Sequence, residues 1–371
     1  MKIGIIGAGQ LGRMLALAGY PLGLEFVFLD KTADAPGGQV GDIIVGEFDD
    51  PDKLAELADC VDIVTFDVEN VSASVVATIT GRTRFLPPLA ALEVAQDRLS
   101  EKRLFAELRI PTPDYRAIDT PEDLASAADE LGFPCVLKIR RLGYDGRGQV
   151  ILRTPDDLGA AWETFRGVPL ILEVFVHFDR EVSIVAVRSI AGETAFYPLV
   201  ENVHENGILV RTMAPLQDVS LTGLARDHAK RLFDRFEYAG VLTIEFFVRN
   251  GELLANEMAP RVHNSGHWTI EGAVTSQFEN HVRAILGYPL GDASAVGHCA
   301  MVNFIGTMPP LTPVLQIAGA HYHDYGKTPR PKRKLGHCTL HRSTPEKRDA
   351  ALAALIEAIG QENVSKVTET G

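Results

Sequence analysis

Residues 138–149, Lys-Ile-Arg-Arg-Leu-Gly-Tyr-Asp-Gly-Arg-Gly-Gln, hold the densest chemistry in the chain. A lysine leaves an apolar strand, and Gly143, Gly146 and Gly148 then let backbone N–H groups approach an anion and take positive φ. Lys138, Arg140, Arg141 and Arg147 add charge-assisted contacts, so phosphate is the ligand such a loop grips. Further on, Glu245 in Leu-Thr-Ile-Glu-Phe-Phe-Val and Glu257 in Ala-Asn-Glu-Met-Ala-Pro-Arg offer hard oxygen ligands to Mg²⁺. Loop and glutamates together point to a nucleoside triphosphate site.

The glutamates set a register question. A two-residue turn at Asn250-Gly251 puts Glu245 opposite Asn256, whereas a three-residue loop, Asn250-Gly251-Glu252, puts it opposite Glu257. Shared metal binding favours the three-residue loop. The plain alternative is a half-exposed acid on an edge strand, but Glu245 sits among Ile244, Phe246 and Phe247, where an unpaired carboxylate is costly. Glu173-Val174-Phe175-Val176 closes an apolar strand whose turning backbone can pair with an adenine edge, and Glu181 can accept from ribose hydroxyls.

Arg261-Val262-His263-Asn264-Ser265-Gly266-His267-Trp268 follows the second glutamate. Arg261, Asn264 and Ser265 suit a phosphate or carboxylate; zinc on His263 and His267 at i, i+4 is disfavoured because Pro260 and Gly266 oppose a helix there. Lys327 to Lys334 is a basic run stiffened by Pro329 and Pro331, read as a loop that reaches back to an anionic substrate. Gly7-Ala8-Gly9-Gln10-Leu11-Gly12 matches a dinucleotide fingerprint, with Asp30 ending the next strand. The unit stops near Pro87, however, with too few strands for two mononucleotide halves. Another phosphate-bearing ligand at the helix N-terminus, or a structural turn, fits better.

The elements that must carry these residues begin with strands at 2–6, 25–30, 43–46, 63–66 and 84–86 and a helix at 10–19, an open parallel sheet of the Rossmann-like α/β kind. A helix over 92–108 ends at Pro111 and Pro113. Strands near 135–138, 149–152, 170–174, 181–188 and 194–199, helices at 121–131, 155–165 and 223–236, a strand pair at 241–249 and 253–258, and a helix at 272–286 then make an α+β central region. Gly291 to Val296 reads as a linker, followed by strands at 300–305 and 337–340 and a closing helix at 345–359. The expected division is 1–92, 93–292 and 293–371, the last small and β-rich.

A chain of 371 residues exceeds what one core usually supports, in keeping with several domains. A net charge of −13 argues against sequence-independent nucleic-acid binding, so local basic patches are small-ligand sites. The four cysteines show no paired spacing and fit a reducing cytoplasm. No signal-like or membrane-spanning stretch is evident.

With these strings in hand, the chain resembles the ATP-grasp superfamily over essentially its whole length, and within it the 5-(carboxyamino)imidazole ribonucleotide synthase family of purine biosynthesis. The likeness rests on Gly9 to Met14, Gly143 to Gln149, Asn256-Glu257, Ala259 to His267, and Arg333 to His337. It implies ATP-dependent carboxylation of the amine of aminoimidazole ribonucleotide by bicarbonate through carboxyphosphate, with Mg²⁺, in a cytoplasmic homodimer.

The ATP residues it implies are Arg98, Lys138, Gly143, Tyr144, Asp145, Gly146, Arg147, Gly148, Gln149, Glu173, Val174, Phe175, Val176, Glu181, His204, Asn256 and Glu257. Glu245 and Glu257 would hold Mg²⁺. Implied substrate contacts fall on Gln10, Leu11, Glu69, Tyr144, His263, Asn264, Ser265, Lys327 and Arg333. The implied catalytic group is Asp145, which orients the amine or takes its proton, with Arg147, Arg261 and Glu69. Leu142 departs from the family pattern, standing where a further glycine is expected, and Asp67-Val68-Glu69-Asn70 varies a more glutamate-rich segment.

Overall fold

The computed structural model describes residues 1–143 and 146–360. The first unit alternates strand and helix: β1 (Lys2–Ile6), α1 (Gln10–Gly19), β2 (Glu25–Asp30), β3 (Asp42–Val45), α2 (Pro51–Asp59), β4 (Ile63–Phe66), α3 (Ala73–Val76) and β5 (Arg84–Phe85). The strands are parallel in the order β3-β2-β1-β4-β5. Helices cover both faces, which is why Ile3–Ile6 and Phe26–Leu29 are apolar without alternation.

Two helices replace the single one expected over 92–108: α4 (Leu89–Ala95) and α5 (Arg98–Glu107). The break is chemical. Asp97 caps α5 by accepting from Leu99 and Ser100 N–H, and the Gln96 amide reaches back to the carbonyls of Glu69 and Val71 at 2.6 Å.

Next, β6 (Tyr115–Ile118), α6 (Pro121–Leu131), β7 (Cys135–Ile139), β8 (Gln149–Leu152), α7 (Asp157–Thr164) and β9 (Leu170–Val174) build an antiparallel sheet in the order β6-β9-β7-β8. It has its own core around Leu124, Leu137, Leu152 and Leu172.

The large antiparallel sheet contains β10 (Arg180–Arg188), β11 (Thr194–Phe196), β12 (Val200–Glu205), β13 (Ile208–Ala214), then after α8 (Val219–Phe236) β14 (Gly240–Arg249) and β15 (Glu252–Ala259). After α9 (Thr269–Gly272) and α10 (Gln277–Leu286) it continues into β16 (His298–Ile305), α11 (Leu311–Leu315), β17 (Ala320–Asp324), β18 (Lys334–Arg342) and α12 (Pro345–Ile359). The order is β15-β14-β10-β12-β13-β16-β18-β17, with β11 beside β10. Strands after residue 293 thus extend the central sheet through β13 and β16. α1 packs on α10, and one core runs from Ile3 and Ile5 through Phe278 and Trp268 to Met301.

The expected helix over 272–286 begins later because Ser276 caps α10 by accepting from Glu279 N–H at 3.1 Å. The β14–β15 turn corrects the loop expected there. It has two residues, Asn250 (φ 52°) and Gly251 (φ 77°), with Arg249 opposite Glu252. A β-bulge on β15 then adds Asn256, and this extra residue, not a longer turn, brings Glu257 opposite Glu245.

Candidate active site

Two cavities meet between the four-stranded and nine-stranded sheets. One, of about 370 Å³, is lined by Lys138, Gly146, Gln149, Glu173 to Val176, Glu181, His204, Glu245 and Asn256. The other, of about 950 Å³, lies toward the N-terminal unit and is lined by Gln10, Leu11, Asp67, Glu69, Gly143, Arg147, Arg261, Lys327 and Arg333. Arg98, Glu257, His263, Asn264 and Lys334 border both. A group moving from one cavity to the other passes these five side chains.

In the smaller cavity, Lys138 leaves β7 and donates to Glu173 Oε2 on the neighbouring β9 at 3.1 Å, while Lys102 Nζ lies 3.6 Å from the same oxygen. Burial works against the Glu173 charge, but Lys102, Lys138 and Arg98 outweigh it and bring its carboxyl down to about 2. The Glu173 side chain therefore anchors Lys138, leaving Val174 to Val176 to line the wall where an adenine edge would lie. Burial pulls the Lys138 ammonium below the usual lysine range against the opposing pull of Glu173. Glu181 Oε2 is 2.9 Å from His204 Nδ1. Phe178 stacks on Phe247 at the apolar end.

Glu245 and Glu257 face each other across the β14–β15 pair. Burial pushes Glu245 up to about 7, with His204 opposing and the Glu257 charge reinforcing the rise. Burial also works against Glu257, but Arg98, 3.0 Å away, holds its carboxyl below the ordinary range. Asn256 Oδ1, carried inward by the bulge, is buried with no hydrogen-bond partner. A strained carboxylate pair with an orphaned amide oxygen fits a hard divalent cation. No group of three or more His, Cys, Asp or Glu among the described residues could hold a metal. Mg²⁺ takes one or two carboxylates from a protein and completes its shell with phosphates and water.

The larger cavity is cationic in an acidic chain. Arg261 Nε lies 3.0 Å from Glu69 Oε1, Lys327 donates to Gln10 Oε1, and Arg333 is held by Thr328 O at 2.9 Å. Asn264 and Asn303 exchange amide hydrogen bonds at 3.1 and 2.7 Å, presenting the Asn264 edge of the loop to both cavities. His263 is held well below the usual imidazole range by burial and by Arg261, so it is neutral at pH 7.

Several expectations need correction. Arg140 and Arg141 line the larger cavity but pair with Asp97 at 2.8 and 3.1 Å, so their charge is already met by a carboxylate. Ser265 is fully buried and lines neither cavity; its hydroxyl faces His263 Nδ1 and Ser183. Of the loop glycines, Gly146 and Gly148 take positive φ and Gly143 does not, while Leu142 does so at 65° and is exposed. Tyr144 and Asp145 lie outside the described residues. Lys334, read as part of a basic run and of the Arg333 to His337 string but given no role of its own, borders both cavities because β18 begins there; its signal was the switch from a Pro-rich run to apolar Leu335. Asp67 went unassigned, although it follows the apolar β4 directly.

The opening fingerprint is filled from within: Asp30 Oδ2 accepts Ala8 N–H at 2.7 Å, and Asp67 Oδ2 accepts Gly12 N–H at 2.9 Å.

Comparison with known proteins agrees with this arrangement. Residues 103–278 match the ATP-grasp domain, residues 1–96 the ribonucleotide synthetase preATP-grasp domain, and residues 299–351 the phosphoribosylaminoimidazole carboxylase C-terminal domain. The chain is 51% identical over 365 residues to an N5-carboxyaminoimidazole ribonucleotide synthase of Pseudomonas aeruginosa, covering 96% of this chain and 100% of that one. A crystal structure of N5-carboxyaminoimidazole ribonucleotide synthetase from Thermus thermophilus is similar with a TM-score of 0.93 and 51% identity, covering 96% of this chain and 98% of that one. The Aspergillus clavatus synthase in complex with ADP and 5-aminoimidazole ribonucleotide is similar with a TM-score of 0.90 and 30% identity, covering 96% and 98%.

Proposed function

This chain belongs to the family of N5-carboxyaminoimidazole ribonucleotide synthases, and we propose that it joins bicarbonate to the exocyclic amine of 5-aminoimidazole ribonucleotide, with ATP converted to ADP and phosphate, in de novo purine biosynthesis. The observation that carries this reading is the meeting of a phosphate-gripping cavity and a cationic cavity at Arg98, Glu257, His263, Asn264 and Lys334. Bicarbonate is a poor electrophile. Its oxygen attacks the γ-phosphorus of ATP, ADP leaves, and the carboxyphosphate so formed has phosphate as a leaving group; the amine then captures its carboxyl carbon, or CO₂ released from it, and loses a proton.

The residues divide this work. Lys138, positioned by Glu173, meets the nucleotide phosphates, and Val174 to Val176 with Glu181 and His204 hold the base and ribose. Glu245, Glu257 and Asn256 are the residues that would hold Mg²⁺, which when bound neutralises phosphate charge. Gly143, Gly146, Arg147, Gly148 and Gln149 cover the phosphates, and Arg147 with Tyr144 and Asp145, the last as proton acceptor, completes the loop. Gln10, Leu11, Lys327 and Arg333 take the ribonucleotide phosphate. Arg261, oriented by Glu69, and the edge of His263 and Asn264 steady the acyl phosphate and exclude water from it.

The segments 1–92, 93–292 and 293–371 serve as working parts that supply, in turn, the substrate loop, the nucleotide cavity and the basic loop. The enzyme acts in the cytoplasm as a homodimer. Four free cysteines support the reducing compartment, and no helix among the described residues is long and apolar enough to cross a membrane.

The test is ADP release from Mg-ATP at saturating bicarbonate, with and without aminoimidazole ribonucleotide, in wild type and in Glu257→Gln. Release that requires the ribonucleotide and falls at least a hundredfold in the variant is expected, since one ligand and the Arg98 partner are lost together. ADP release that ignores the ribonucleotide but responds to another amine would overturn the substrate.

A further inference from the structure

We propose that Ser265 is a positioning residue: with Ser183, Asn202 and Thr212 behind it, it fixes His263 in the tautomer protonated on Nε2, so that this imidazole meets the reacting anion as a hydrogen-bond donor. The inference deepens the functional reading and rests on it for the identity of the anion.

Two donors converge on His263 Nδ1. One is the Ser265 hydroxyl at 2.9 Å and the other is the Ser265 backbone N–H at 3.3 Å. A hydroxyl can reverse its role, but a backbone N–H cannot. Together the two donors favour an Nδ1 that presents its lone pair, and a neutral ring then carries its proton on Nε2. That nitrogen lies 3.6 Å from Glu245 Oε1, at the junction of the two cavities.

The hydroxyl is oriented from behind. Thr212 Oγ1 donates to Asn202 Oδ1 at 2.8 Å, Asn202 Nδ2 donates to Ser183 Oγ at 2.9 Å, and Ser183 Oγ donates to Ser265 Oγ at 2.8 Å. With its acceptor side used by Ser183, Ser265 has its own proton left for His263 Nδ1. All four residues are buried, Asn202 being 4% exposed and the others 0%, so water does not compete for these bonds. Running the chain backward would bring the His263 Nδ1–H and the Ser265 N–H head to head and leave one of them unpaired, which burial makes expensive.

The consequence is chemical. As bicarbonate becomes an acyl phosphate, negative charge gathers on oxygens in the space that Nε2 borders. A preset N–H stabilises such charge, whereas a bare nitrogen lone pair repels it. The strands explain why four distant residues meet: β10 pairs with β12, placing Ser183 opposite Val200 and two residues from Asn202's own partner Glu181, and β12 pairs with β13 with Asn202 opposite Thr212. Ser265 approaches from the short helical turn Asn264–Gly266.

Long-range ¹H–¹⁵N spectra of the full-length enzyme, labelled with ¹⁵N-histidine and free of substrate, test the tautomer directly. The His263 signals are assigned by their loss in His263→Gln. An unprotonated, hydrogen-bond-accepting Nδ1 and a protonated Nε2 are expected; a protonated Nδ1, or an averaged pair, would overturn the proposal. In Ser265→Ala, which keeps the backbone N–H, the two shifts are expected to move toward an averaged mixture and kcat/KM to drop roughly tenfold. A folded Ser265→Ala enzyme with an unchanged His263 pattern would remove Ser265 from the role. Asn202→Asp, which can only accept when ionised, is expected to reverse the hydroxyls and populate the Nδ1–H form, and an unchanged pattern in that folded variant would remove the residues behind Ser265. The spectra contain no substrate, so their outcome is separate from which amine the enzyme carboxylates.

Discussion

At Asp67 a carboxylate occupies the place a pyrophosphate takes in dinucleotide folds. The fingerprint glycines make room for it: a Cβ on Gly7 would lie 1.8 Å from Oδ1, and one on Gly12 would lie 3.1 Å from Oδ2. With Gly12 N–H accepted by Asp67 and Ala8 N–H by Asp30, the start of α1 has no vacancy for a dinucleotide. Burial pushes the Asp67 carboxyl up to about 6 against the lowering effect of Gly12 N–H, and Oδ1 has no partner. A carboxyl raised above its unfolded value of 3.8 favours the protonated folded state. Its stabilising effect is complete below pH 3.8 and is lost as pH rises to 6. Asp67→Asn, neutral throughout, is expected to gain on wild type over that window by up to ~3 kcal/mol, since each tenfold change in proton affinity is worth about 1.4 kcal/mol. Urea titrations at pH 4, 5 and 6.5 measure the difference, and parallel curves for the two proteins would count against a buried, protonated Asp67.

The elements divide sharply in how well they could be read. Buried parallel strands such as β1 and β4 announce themselves by unbroken apolar runs, and α6 and α12 by Thr120-Pro121 and Thr344-Pro345 at their starts. The hairpin β12–β13 did not, although Asn206-Gly207 marks its turn, because His204, Glu205 and Arg211 interrupt the alternation. His204 among them lines the nucleotide cavity, so at that position function obscured the pattern. The glycine loop and the two glutamates were legible as chemistry, yet their geometry depends on Asn256 bulging out of register and on Asp97 capturing two loop arginines. Both are tertiary choices with no local signal. The β14–β15 turn offers a test of the backbone it needs. Gly251, at φ 77° with nothing near its Cβ position, should lose about 1 kcal/mol on substitution by alanine from left-handed strain alone. Gly223, exposed within α8 and equally open, should gain roughly 0.5–1 kcal/mol on the same change, through helix propensity and a stiffer unfolded chain. Thermal or urea unfolding of the two variants separates the signs, and equal effects would mean that the turn is not held at positive φ.

Across the whole molecule, the four-stranded sheet is the part whose attachment is most polar. Its apolar core is its own, and it meets α5 through Arg140 and Arg141 on Asp97, through Lys102 on Glu173, and through Arg98 N–H on Arg140 O at 3.0 Å. The N-terminal unit, by contrast, shares a continuous apolar core with the large sheet. A layer held by ion pairs over a ligand cleft is drawn from the less stable end of a structure. The two tryptophans report on the two parts separately, since Trp162 packs in the small core and Trp268, 1% exposed with its Nε1 unpaired, in the large one. In Trp268→Phe, fluorescence follows the small sheet alone; in Trp162→Phe it follows the large core. Without nucleotide the Trp162 signal is expected to change at lower urea than the Trp268 signal. A non-hydrolysable ATP analogue with Mg²⁺ spans the cleft, and at a hundred times its Kd it adds about 2.7 kcal/mol to whatever state binds it. Because only the assembled cleft binds, that increment should raise the Trp162 midpoint more and bring the transitions together. Coincident transitions without nucleotide would show instead that the small sheet unfolds with the rest, and that nucleotide finds its cleft already rigid.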